Sequence, residues 1–131
     1  MRAGTEGWKL FDYIMERLEE RHELHMDVYG DDNKKRMSGT HETAEWNEFS
    51  YAVGNRSASI RIPTEVASAG GKGYLEDRRP GSNIDPYVTC SLMLETCILP
   101  IEEGKEISKP LLDHFFAWRK WRDENKEMSL I

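Results

Sequence analysis

Two short strand-forming runs set among helices constrain this chain more than any other feature of it. Residues 57–62 alternate polar and apolar side chains (Ser57, Ala58, Ser59, Ile60, Arg61, Ile62) and stop at Pro63, the pattern of a half-buried strand. A second run, Tyr74 to Arg79, is stopped by Pro80-Gly81. A sheet this small is marginal in water without partner strands or helices packed on it. The strands are therefore expected to belong to a larger arrangement.

The helices that could cover them are legible. Over residues 7–29, Phe11, Ile14, Met15 and Leu18 recur at three- and four-residue steps, and the face continues through His22, His25 and Val28. Gly30 stands where a cap glycine belongs, and Asp31-Asp32-Asn33 reads as a polar turn. Residues 64–73, with Ser68, Gly70, Gly71 and Gly73, read as a loop. Asp85-Pro86 opens a helix to Leu99, ended by Pro100. A polar linker from Glu102 to Lys109 precedes a last helix, Pro110 to Glu127, with a broad apolar stripe of Leu111, Leu112, Phe115, Trp118 and Trp121. The order predicts an α+β fold, a small antiparallel sheet with flanking helices. The expected division is residues 1–100 as one structural part and 101–131 as a linker and extra helix.

Charge narrows the function. The net charge of −6 argues against a nucleic-acid binder, which needs surplus Lys and Arg. Yet Arg56, Arg61, Arg78 and Arg79 fall close together, which suits a small anionic ligand. With 38% hydrophobic and 32% charged residues the chain has the composition of a globular one, and no run is apolar enough to span a bilayer. Cys90 and Cys97 lie about 10 Å apart along one predicted helix, too far for a disulfide. Reduced thiols fit a cytoplasmic location.

Within Tyr74–Arg79, alternation puts Tyr74, Glu76 and Arg78 on one face and Leu75, Asp77 and Arg79 on the other. A carboxylate and a guanidinium two residues apart can reach one ligand: the carboxylate suits a hard divalent cation, the guanidinium a carboxylate or phosphate. A solvent-facing strand of paired charges would carry the same letters. Arg56 and Arg61 converge only if Arg56 lies before the first strand, in the Gly54-Asn55 turn; otherwise they are two exposed arginines. His41-Glu42 sits in a polar loop, where Glu42 could act as a general base if geometry allows. His22 and His25 have a spacing open to metal, but no cysteine or third histidine supports that reading.

Three longer segments carry a resemblance. Gly39-Thr40-His41-Glu42-Thr43 resembles the flap of eukaryotic-type glutamine synthetases. Asn55-Arg56-Ser57-Ala58-Ser59-Ile60-Arg61-Ile62-Pro63 is similar to that family's nucleotide-facing segment. Gly73 to Pro80, followed by Ser82-Asn83 and Asp85-Pro86-Tyr87, is similar to its metal and substrate strand. Their order and approximate spacing are the family's, and the resemblance covers roughly residues 8–99, the C-terminal portion of the catalytic domain.

The resemblance implies a glutamate–ammonia ligase: ATP phosphorylates the side-chain carboxylate of glutamate, and ammonia displaces the phosphate. It implies that Glu42 takes a proton from ammonium, that Arg36 and Arg78 bind glutamate, and that Arg56 touches both glutamate and the moving phosphoryl group. It implies that Arg61 binds nucleotide phosphates, that Tyr74 and Leu75 line the nucleotide site, and that Glu76 is a ligand of Mg²⁺ or Mn²⁺ beside the nucleotide. Partners would be glutamate, ammonium and ATP, in a homo-oligomer, with no nucleic acid and no membrane. Gly54 and Gly81 stand where the family usually has alanine, and Leu75 where it often has phenylalanine. The family's glutamate-rich metal strand, its substrate glycine loop and its N-terminal domain have no counterpart in these residues. The chain is therefore expected to be incomplete as an enzyme, with a non-catalytic interaction or regulatory fragment as the alternative.

Overall fold

The computed structural model describes residues 7–99 and 108–126. Pro100, the 102–107 linker and Glu127 lie outside them. The chain divides into two units, Met1–Asp85 and Pro86–Ile131.

In the first unit the expected helix is two. α1 (Gly7–Glu20) buries Phe11, Ile14, Met15 and Leu18; α2 (His22–Tyr29) buries His22, His25, Met26, Val28 and Tyr29. The break at Arg21 is a bend rather than an end, because Arg21 N–H still donates to the Arg17 carbonyl and His25 N–H to that of Arg21. The buried face therefore runs on across it. Gly30 caps α2 at φ +89°, donating to the Met26 carbonyl. The polar stretch after it is not only a turn. It forms a short helix, α3 (Asp31–Arg36), with Asp31 and Asp32 in the first turn and Lys34, Lys35 and Arg36 in the last, the arrangement that opposes the helix dipole.

The sheet has three strands in the order β1 (Tyr51–Val53), β2 (Ile60–Ile62) and β3 (Glu76–Asp77). β2 and β3 pair antiparallel as expected, with Arg61 opposite Glu76 and Ile60 opposite Asp77. β1 was not apparent in the sequence and pairs parallel to β2, so the sheet is mixed. The link from Val53 to Ile60 is short for a parallel pair, which usually needs a crossover of a dozen residues or more. Gly54 at φ +64° and the bond from Ser57 N–H to Asn55 Oδ1 fold it tightly. Both predicted strands are shorter than their patterns. The stretch read as a loop after Pro63 begins with one turn of helix, α4 (Thr64–Ser68), followed by the positive-φ glycines Gly70, Gly71 and Gly73. Ala58, Ile60, Ile62 and Val66 join the α1 and α2 residues in the core.

In the second unit, α5 (Pro86–Cys97) starts at the predicted proline, and α6 (Lys109–Glu124) packs against it, burying Leu112 and Phe115. The buried carboxylate of Glu95 accepts bonds from Ser108 N–H (2.6 Å) and Ser108 Oγ (2.7 Å), fixing where α6 begins. Both cysteines are free thiols. Among the described residues no helix is long and apolar enough to cross a membrane.

Candidate functional site

The two faces of the segment around β3 do different work. Toward the helices, Asp77 and Arg79 form a forked ion pair, Arg79 Nε to Asp77 Oδ1 at 2.9 Å and Nη2 to Oδ2 at 2.8 Å. Arg79 is fully buried. Its guanidinium lies over the rings of Tyr29 and Phe49, and Nη1 donates to His22 Nδ1 at 3.0 Å. An arginine only donates, so His22 Nδ1 is an acceptor and its proton sits on Nε2, which donates to the Trp46 carbonyl at 2.8 Å. Burial pushes the His22 pKa down, in keeping with a neutral ring. His25 Nδ1 lies 2.9 Å from the Tyr29 hydroxyl, which itself donates to Asp77 Oδ2 at 3.4 Å. Burial, then the Arg79 charge, lowers His25 to about 2. These two histidines are packing residues, not a metal pair. Sequence reasoning placed Asp77 and Arg79 on this face but had no signal that it is buried.

The other face carries Glu76 and Arg78, two of the residues singled out from the sequence. Arg61 Nε donates to Glu76 Oε2 across the β2–β3 ladder, and Arg78 Nη1 to Glu76 Oε1 at 3.4 Å. The hydrogen bond from Arg61 holds the Glu76 carboxyl below the usual carboxylate range and raises Arg61 in return. Arg78 also donates through Nε to the Arg56 carbonyl (2.9 Å) and through Nη2 to the Glu42 carbonyl (3.3 Å). The tight turn between β1 and β2 is what carries Arg56 here, ahead of the strand proper. Arg56 Nη1 stands 3.9 Å from Glu42 Oε1.

Glu42 sits at the tip of a loop closed at its base by a bridge between Ser38 and Glu45 and by Trp46 N–H on the Met37 carbonyl. His41 and Glu42 adopt φ of +55° and +60°, left-handed backbone that costs about 1–3 kcal/mol for a non-glycine residue and gathers at functional sites. Beneath this tip is an open cavity of about 530 Å³ lined by Glu42, Gly54, Asn55, Arg56, Arg61 and Thr64. The arrangement sets the guanidinium groups of Arg56, Arg61 and Arg78 beside one exposed carboxylate, that of Glu42.

The remaining predicted residues sit differently. Tyr74 precedes β3 and is 57% exposed; Leu75 is half-buried. The Arg36 guanidinium is turned to the backbone, with Nη2 donating to the carbonyls of Arg79 (2.8 Å) and Arg78 (3.2 Å), so it holds the end of β3 under Arg78. Asn33 supports the same carbonyl of Arg79. The metal expectation meets a physical limit. Both oxygens of Glu76 face guanidinium groups, and among the described residues no three His, Cys, Asp or Glu side chains gather to hold a cation. A hard divalent cation needs about six oxygen ligands. These residues alone do not fit a metal site.

Comparison with known proteins adds an independent line. Residues 35–129 match the family described as glutamine synthetase, catalytic domain. Over 93 residues, 71% of this chain, it is 54% identical to glutamine synthetase of Agaricus bisporus. It is 51% identical over 98 residues to glutamine synthetase of Candida glabrata, and 48% identical over 93 residues to glutamine synthetase cytosolic isozyme 2 of Glycine max. Each match covers 26% of the relative, so the chain spans about a quarter of the length of these proteins.

Proposed function

The chain belongs to the glutamine synthetase family, and we propose that it carries part of the catalytic centre of an ATP-dependent glutamate–ammonia ligase. The observation that supports this is the convergence of Glu42, Arg56, Arg61, Glu76 and Arg78 through direct side-chain and backbone contacts, with Glu42, Arg56 and Arg61 lining an open cavity.

In the proposed reaction, a side-chain oxygen of glutamate attacks the γ-phosphorus of ATP, and ADP leaves. Ammonia then attacks the acyl carbon and inorganic phosphate leaves. Both steps spread charge over oxygens that guanidinium groups stabilise. Arg61, on β2 and lining the cavity, binds nucleotide phosphates. Arg56 reaches the transferring phosphoryl group, and Arg78 holds the glutamate carboxylate. Glu42, on its strained loop tip, accepts the proton that ammonium must lose before it attacks. Closure of that loop keeps water from the acyl phosphate. Tyr74 and Leu75 line the nucleotide site. Arg36 acts on glutamate through the position it gives Arg78. A cation, Mg²⁺ or Mn²⁺, would need oxygen ligands beyond Glu76, and a homo-oligomer belongs to the same reading. A cytoplasmic location is consistent with the relative named as a cytosolic isozyme.

A second reading, a non-catalytic interaction or regulatory fragment, is favoured by the engagement of both Glu76 carboxylate oxygens with guanidinium groups. Calorimetric titration with ATP bears on the main reading. We expect weak, saturable binding by residues 1–131 that weakens about tenfold in Arg61→Gln, the loss of one charge-assisted contact of about 1.4 kcal/mol. No binding, or binding indifferent to Arg61→Gln, would count against a nucleotide site here.

A further inference from the structure

Both oxygens of the Glu76 carboxylate face a guanidinium: Oε2 accepts from Arg61 Nε, Oε1 from Arg78 Nη1. The pair with Arg61 is fixed by register, since the two residues are Cα partners in the β2–β3 ladder. Arg61 also lines the open cavity. A guanidinium fork receives carboxylate and phosphate oxygens in the same geometry. A phosphate oxygen seeking Arg61 therefore competes with Glu76, and the two anions repel each other if both remain.

We propose that Glu76 is the resident counter-anion of Arg61, and that a phosphate-type ligand entering from the cavity binds by displacing it from that guanidinium. The proposal rests on the reading above for the class of the ligand and adds how access to the site is controlled. Glu76 then weakens the binding of free polyphosphate.

The test is calorimetric titration of the purified chain with inorganic tripolyphosphate, with ATP and with L-glutamate, in chelator at constant ionic strength. Glu76→Gln keeps shape and removes charge. The expected result is about fivefold tighter tripolyphosphate binding than in the unaltered chain, the equivalent of a partly exposed ion pair of about 1 kcal/mol. The gain should vanish in the double variant Glu76→Gln, Arg61→Gln. Equal or weaker binding by Glu76→Gln overturns the proposal, as does a gain confined to glutamate. A gain for tripolyphosphate with no added preference for ATP upholds the counter-anion and removes the nucleotide reading. ATP binding by the unaltered chain that Glu76→Gln leaves unchanged does the reverse. Should Glu76→Gln not fold, the Nε–H resonance of Arg61 in the unaltered chain decides. A saturable shift with tripolyphosphate supports displacement, and an unmoved resonance overturns it.

Discussion

Arg61 and Glu76 face each other across the only antiparallel pairing of the described sheet, Cα partners whose side chains join on the cavity side. The next pair along, Ile60 and Asp77, points the other way, Ile60 into the core and Asp77 onto buried Arg79. Adjacent carboxylates of one short strand thus have opposite jobs.

That contrast gives a stability prediction. Removing one partner of a buried ion pair strands the other charge, at a cost of about 3–5 kcal/mol, whereas partly exposed pairs contribute about 0–1 kcal/mol. Asp77→Ala leaves Arg79 buried without its fork and is expected to lower the melting temperature by more than about 10 °C. Glu76→Ala is expected to move it by no more than a few degrees. Thermal melts of the two variants side by side check this, and equal losses would contradict the assignment of faces.

Acid should act through the same buried network. His25 is fully buried and takes up a proton only near pH 2, whereas the unfolded imidazole does so near its ordinary value of 6.5. The unfolded state binds more protons throughout that window, so stability falls as pH falls through it, by about 1.4 kcal/mol per pH unit for this ring. His22, also lowered, adds to the slope in the upper part of the window. Around them stand the charges of Arg21, Glu23, Asp77 and Arg79. Urea unfolding between about pH 7 and pH 5 is expected to show this loss, and His25→Leu to show a shallower slope. An identical slope in His25→Leu would mean that other groups carry the acid response.

Much of this was legible, and the failures share a cause. Alternation alone sorted Glu76 and Arg78 from Asp77 and Arg79, and the condition set for Arg56, that it precede the strand, is met by the Gly54–Ser59 turn. What stayed hidden depends on partners far along the chain. Arg79 is held by His22 and Phe49, Arg36 is drawn to carbonyls 42 and 43 residues away, and the burial of a charged strand face has no local letter code. α3 has no apolar periodicity to detect. β1 is three residues long, with Tyr51 and Val53 both about half exposed, so it gives no burial alternation.

Gly54 is a local test of the turn that delivers Arg56. Its φ of +64° lies in the left-handed region, and a Cβ there would stand 3.1 Å from Thr64 Oγ1. The family resemblance puts alanine at this position. In the observed turn Gly54→Ala is expected to cost about 1–2 kcal/mol, the left-handed penalty of a non-glycine residue. Thermal melts measure the cost, and ATP titration asks whether Arg56 is displaced with it. An unchanged melting temperature would show that the turn relaxes to a right-handed form at no cost.

Residues 1–131 alone are expected to make no glutamine at a measurable rate. Phosphoryl transfer needs positioned phosphates and a neutralising shell, and the parts act as a unit, so loss of one removes nearly all the rate. Three arginines and the Glu42 loop are present, but among the described residues no three His, Cys, Asp or Glu side chains gather to hold a cation, and the oxygens of Glu76 are engaged by Arg61 and Arg78. Charge stabilisation has no effect on substrates that are not held in line. A coupled phosphate-release assay with ATP, glutamate, ammonium and Mg²⁺ or Mn²⁺ is expected to show only background. Ammonium-dependent turnover that disappears in Glu76→Ala would show instead that these residues assemble a complete centre.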